Sequence, residues 1–238
     1  MIVWTLLLAC WGKDEPVDDS ADTQPPEQVW PDQDRVLFFY GMGGRPGSSS
    51  GDASTDQAQA WIEEAYGWPT SSRDTLGEPE NFRAILMMDP GANEGGFSQG
   101  QVDNLQVAME QGTRVVIFAN QQTCNGDVAN GLVEALGAPM RLNGDVRSGV
   151  AILPATSGYQ PTDGVTEVYF PDPCVVETNG ADPLVAEGRD VYAAAYRPAY
   201  GGDVVLIGDY NWMDDTGRLT TSDNTALLGN LVEVEPGF

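Results

Sequence analysis

Four short apolar runs, each followed by a helical pattern, limit this chain more than any other feature. Val36-Leu37-Phe38-Phe39-Tyr40, Ala84-Ile85-Leu86-Met87-Met88, Val115-Val116-Ile117-Phe118-Ala119 and Val204-Val205-Leu206-Ile207 are continuous rather than alternating. That is the composition of strands buried on both faces. Between them lie helical periodicities with start and stop signals. Ser54 and Gln57 have capping-box spacing ahead of Ala58, Trp61, Ile62 and Ala65. Ser98 and Gln101 repeat it ahead of Val102, Leu105, Ala108 and Met109, and Gly112 supplies a left-handed stop. A third pattern runs through Val128, Leu132, Val133 and Leu136 to Gly137. The last, with Leu227, Leu228, Leu231 and Val232, starts at about Asp223, and Asp223-Asn224 reads as its cap. Strands alternating with helices predict an α/β fold, a mostly parallel sheet with helices on both faces. The stretch from about 140 to 196 breaks the alternation. Its short runs, Val150–Leu153, Val165–Phe170 and Cys174–Glu177, sit between Pro, Gly and Asp. It reads as a β-rich insertion, with Val191–Tyr196 returning to the sheet.

The first 34 residues are of another kind. Met1 to Ala9 is apolar, and nine helical residues span about 14 Å, too little for a bilayer core of roughly 30 Å. Leu7-Leu8-Ala9-Cys10 is similar to a bacterial lipobox, in which the cysteine is lipidated and becomes the mature N-terminus. A plain secretory signal or a misassigned start is the alternative. Residues 11 to 34 hold eight acids, one lysine (Lys13) and four prolines, with no apolar periodicity. Such a segment cannot offset its ordering entropy by burial and reads as a self-repelling tether. The expected organisation is a lipoprotein signal peptide at 1–9, a disordered acidic tether at 10–34 and an α/β domain at 35–238. The lipid anchor at Cys10 would place the protein on the bacterial cell envelope. Trp11, where an inner-membrane retention signal resembling that of well-studied lipoproteins would have Asp, favours the outer membrane.

Charge and one missing residue type restrict the chemistry. The chain of 238 residues has 36 acidic and 11 basic side chains, a net charge of −25, and no histidine. The charge repels phosphate backbones, so nucleic-acid binding is not expected. Without imidazole there is no Ser-His-Asp or Cys-His-Glu triad, no histidine base and no histidine metal ligand.

The order of motifs resembles a family. A strand with a Gly-rich loop is followed by a strand ending Asp89-Pro90-Gly91, then Phe97-Ser98 opening a helix, a strand ending Ala119-Asn120 and a helix ending Leu136-Gly137. Gly208-Asp209-Tyr210-Asn211-Trp212 and Asp223–Leu231 close the series. This looks like the type 1 glutamine amidotransferase-like superfamily, a flavodoxin-like α/β fold, in an uncharacterised branch of exported or membrane-tethered bacterial proteins. The resemblance covers roughly residues 35 to 236. Members with activity place a cysteine nucleophile in a tight strand-to-helix turn and activate it with histidine. Here Cys124 follows the third strand, but Gln121-Gln122-Thr123-Cys124-Asn125-Gly126 lacks the Gly-x-Cys-x-Gly elbow. No histidine is there to deprotonate it. Glutaminase activity is therefore not expected. A Cys124–Cys174 disulfide, which fits an oxidising compartment, and two unrelated buried thiols remain open as alternatives.

Other candidate groups lie where strands end. The loop Gly41–Gly51, with Gly43, Gly44 and Arg45, offers backbone N–H groups to an anion, or is a plain connection. It is no P-loop, since Lys13 is the only lysine, and no dinucleotide loop, since position 46 is Pro. Asp89, Asn120, Gln122, Asp209, Asn211 and Trp212 could converge on one crevice beyond the strand ends. Asp209, Asp214 and Asp215 carry oxygen ligands suited to Ca²⁺, though no cofactor is otherwise implied. Asp89 and Asp209 could instead act as acid and base on a glycan. Helix caps and turns explain the same residues without any ligand. Tyr210 and Trp212 are the aromatic interface candidates.

The expectation is a lipid-anchored envelope protein with a catalytically inactive amidotransferase-like domain that binds a small ligand or an envelope partner. A carboxylate-dependent hydrolase acting on envelope glycan is the alternative. A structural lipoprotein with an exposed apolar patch is the third.

Overall fold

The computed structural model describes residues 35–42, 54–77, 82–91, 96–214 and 216–234. The expected signal and tether, and Cys10, Gly43, Gly44, Arg45 and Asp215 with them, lie outside the described residues. In chain order the first half holds β1 (Arg35–Phe39), α1 (Asp56–Tyr66), β2 (Thr70–Arg73), β3 (Phe82–Met88), α2 (Gln99–Glu110), β4 (Arg114–Phe118) and α3 (Asp127–Ala135). The second half holds β5 (Arg141–Val146), β6 (Val150–Pro154), β7 (Glu167–Pro171), β8 (Cys174–Glu177), β9 (Asp182–Glu187), β10 (Asp190–Tyr196), β11 (Asp203–Ile207) and α4 (Asn224–Val232).

The central sheet has the order β2-β1-β3-β4-β11-β10-β9. Its first five strands are parallel, and β10 and β9 extend it antiparallel. Five parallel strands in the order second, first, third, fourth, fifth match a flavodoxin-like sheet, although the helices are few. The runs are apolar throughout because both faces are covered. Val36, Phe38, Leu86, Phe118 and Ile207 pack with Ala58 and Ile62 of α1 and Leu227, Leu228 and Leu231 of α4. Leu37, Phe39, Met87, Ile117 and Leu206 pack on the other side with Val102 and Leu105 of α2 and Leu132 and Val133 of α3.

Of the helix signals, Ser98–Gln101 forms the full capping box of α2. The other two work differently. The N-cap position of α1 falls one residue later, at Thr55, which makes no side-chain cap; its hydroxyl contacts Tyr40 Oη at the end of β1 and accepts from Gln59 Nε2 at 3.1 Å. Asp223 precedes α4 but makes no side-chain cap. Its carboxylate accepts instead from the backbone N–H groups of Thr166 (2.8 Å) and Glu167 (3.2 Å) at the start of β7. Asn224, fully buried, exchanges two hydrogen bonds with the backbone of Tyr169 and so acts as a strand neighbour. Within the insertion, β5 pairs with β8 and β6 with β7, both antiparallel, while β9 and β10 join the central sheet.

Candidate functional site

The strand order reverses at β1, which lies between β2 and β3. In open α/β sheets that reversal opens a crevice beyond the carboxyl ends of the strands. Here two non-glycine residues leave the neighbouring strand ends in the left-handed region, Met42 at φ 62° and Asp89 at φ 48°. Gly91 N–H donates to the Met42 carbonyl at 3.1 Å and stitches the two exits together. Left-handed backbone at non-glycine residues persists only where surroundings over-determine it, and such residues cluster at functional sites.

Asp89 is 7% exposed, and its carboxyl accepts a hydrogen bond from the Thr123 hydroxyl. Burial pushes its pKa up to about 6, against the downward pull of that hydrogen bond. Thr123 is held by a tight turn after β4. Its N–H donates to the Asn120 carbonyl (2.7 Å), and its hydroxyl oxygen accepts from the Asn120 N–H (3.0 Å). The Asn120 side chain accepts from the exposed Gln122 N–H at 3.4 Å. Asp89, Asn120 and Gln122 therefore stand on adjoining strand exits, with Thr123 as the link that sequence reasoning missed. A threonine in a Gln-Gln-Thr-Cys turn carries no signal until the register of β3 and β4 is known.

A groove of about 380 Å³ runs between α2 and α3 beside these exits, lined by Phe97, Val102, Asp127, Val128 and Gly131 among others. Gly91 abuts it, since a Cβ there would lie 3.5 Å from Cβ of Val128. Gly131 lies mid-helix with nothing within 4 Å of an added Cβ. An unexplained glycine inside a helical pattern was the sequence signal available for this groove.

Asp209, Tyr210 and Trp212 do not line the crevice. Asp209 is fully buried, its Oδ1 accepts from the Asn211 N–H (2.9 Å), and among the described residues its Oδ2 has no partner. Burial pushes its carboxyl well above the usual range. Trp212 is fully buried between Phe118 and Phe170, with ring centroids at 6.2 and 6.1 Å, and donates its indole N–H to the Asp209 carbonyl. Tyr210 is buried as well, so neither aromatic offers an interface. The local reason is the apolar face of β4 and β7, which draws the Trp212 ring inward and carries the preceding turn with it. Asn211 is half-buried. The Asp214 carboxylate is occupied by Thr216 and by Arg218 (3.3 Å). Of the calcium set, Asp209 is fully buried, Asp214 is taken by Thr216 and Arg218, and Asp215 lies outside the described residues; among the described residues no group of three or more Cys, Asp or Glu side chains could hold a metal ion.

Cys124 is 3% exposed and joined in a disulfide to Cys174 of β8, with Cα atoms 5.2 Å apart. Its sulfur is therefore blocked from acting as a nucleophile.

No family model matches the chain, and no curated protein matches its sequence. Solved structures do match in three dimensions. The N-terminal domain of mmIFT52 superposes with a TM-score of 0.65 at 14% identity over 85% of this chain and all of the other. Cytoplasmic Protein STM3548 from Salmonella typhimurium gives 0.57 at 11% identity over 83% and 97%. A putative ThuA-like protein from Bacteroides uniformis gives 0.49 at 12% identity over 84% and 89%. The first two likenesses show a shared α/β fold and nothing of activity.

Proposed function

We propose that this is a binding domain on an amidotransferase-like scaffold without amidotransferase chemistry, engaging a small ligand or an envelope partner at the carboxyl edge of its sheet. The observation that carries the reading is Cys124, buried and tied to Cys174 in a chain with no histidine. A disulfide sulfur cannot attack an amide, and no imidazole is present to move a proton. The Asp89–Thr123 contact, the two left-handed strand exits and the groove beside them support a ligand there.

The test is ammonia release from glutamine by the purified protein, with the disulfide intact and after reduction. No release is expected in either state, and release in either would overturn the reading. For the binding half, ligand-observed NMR with a fragment library should give hits that weaken in Asp89→Asn and in Gly131→Leu, which fills the groove. Hits indifferent to both variants would move the site elsewhere. The paired-carboxylate hydrolase draws no support, because the buried Asp209 cannot share an open cleft with Asp89. The envelope address rests on Leu7-Leu8-Ala9-Cys10 and the acidic segment that follows it. Incorporation of a labelled fatty acid that is lost in Cys10→Ala tests it, and incorporation unchanged by that substitution would refute it.

A further inference from the structure

The opposite, amino-terminal edge of the parallel strands carries a second arrangement, independent of the switch point. There β4 and β11 begin side by side with Arg114 and Asp203, which are register partners. Arg114 is 1% exposed and its donors are spent. Nε and Nη2 reach Asp203 Oδ2 at 3.3 and 2.8 Å, and Nη2 also reaches Gln160 Oε1 at 2.6 Å. Nη1 reaches the Asn230 and Leu231 carbonyls near the end of α4 at 2.6 and 3.3 Å. The other Asp203 oxygen accepts from Arg197 Nε at 2.7 Å. Burial alone would push the Asp203 carboxyl up, but Arg197 and Arg114 together outweigh it and hold the group ionised.

This clasp forms the back wall of a cleft of about 410 Å³. Tyr159, Asp182 at the head of β9, and Tyr196 with Arg197 at the end of β10 line its mouth. Both tyrosines are half-buried, and Asp182 and Arg197 are exposed. Two arginines stand against two aspartates here, so the cleft is neutral within a chain carrying −25. A charged ligand finds its natural counter-charge committed, since both Asp203 oxygens and all Arg114 donors are taken. What the mouth offers is flat aromatic surface and polar edges without net charge. That combination suits a neutral polyhydroxylated ring, whose C–H face lies on a tyrosine while its hydroxyls bond to the exposed Asp182, which also pairs with the Tyr159 hydroxyl. The volume is that of an ordinary small-molecule site. We propose that this cleft binds a neutral saccharide unit, at a site separate from the Asp89 groove.

The test uses cellobiose, maltose and N,N′-diacetylchitobiose as probes, with saturation-transfer NMR and calorimetry on the intact protein. At least one probe should bind, and its affinity should fall about tenfold or more in Tyr159→Ala and in Asp182→Asn. Asp89→Asn should leave it unchanged. Melting curves establish that each variant is folded, and if Tyr159→Ala is not, the exposed Asp182→Asn decides. No saturable binding by any probe, or binding undiminished in a folded Asp182→Asn protein, overturns the proposal. Binding lost in Asp89→Asn instead would also overturn it, because the sugar would then belong to the switch-point groove.

Discussion

Asp89 and Asp209 hold protons more tightly in the folded protein than in the unfolded chain, because burial disfavours their charged forms. The sign of the consequence follows from linkage. Such a group contributes stability below its unfolded pKa of about 3.9, and that contribution is lost as pH rises through its folded pKa. For Asp89, with a folded value of about 6, the loss is about 3 kcal/mol between roughly pH 4 and 6. Asn at position 89 tolerates the left-handed backbone and still accepts from Thr123, but it has no charge to lose. Asp89→Asn should therefore flatten the fall in melting temperature over that window and melt above the wild type at pH 7. A pH series of thermal unfolding curves for the two proteins checks this, and identical slopes would show that Asp89 is not the titrating group. The contrast between the two aspartates also shows what the sequence could not reveal. Both follow a buried strand, and sequence alone puts both at the crevice. Depth was decided by Trp212, three residues after Asp209, whose ring seats against Phe118 and Phe170 from distant strands.

Strands and helices were legible to the extent that one face of each meets the core. The four apolar runs and all four helices sit close to where periodicity puts them, because burial on both sheet faces leaves no room for polar interruption. Strand β2, Thr-Ser-Ser-Arg, was invisible. It is an edge strand that pairs with β1 through its backbone alone and buries no side chain fully. Glycines separate into tolerant and intolerant positions for the same packing reasons. Gly131 on α3 has open space around an added Cβ, so Gly131→Ala should raise stability by about 1 kcal/mol through helix propensity. At Gly208, just beyond β11, an added Cβ would lie 2.1 Å from the Cys174 carbonyl oxygen. It would also disturb the 2.8 Å hydrogen bond from Cys174 N–H to the Gly208 carbonyl. Gly208→Ala should cost about 3 kcal/mol or more. Urea unfolding of both variants tests the pair; equal effects would mean that these packing distances do not govern the two sites.

At the scale of the whole molecule, the Cys124–Cys174 bond ties the turn after β4 to an insertion strand 50 residues away. Closing a loop of that length restricts the unfolded chain and is worth up to about 4 kcal/mol in the chain-entropy model. The β9 and β10 strands are held in the central sheet through their own ladders. Replacing both cysteines by serine should thus lower the unfolding free energy by a few kcal/mol while leaving the far-ultraviolet circular dichroism spectrum unchanged. Reduction of the wild type should do the same, and it adds a chemical question that the serine variant cannot ask. It frees the Cys124 thiol in the turn after β4, so a reduced protein that stays inert toward glutamine would trace that inertness to the absent imidazole rather than to the blocked sulfur. Ammonia released only after reduction would reverse that assignment. The disulfide would then be a lock on a working site, and some group other than histidine would have to move the proton.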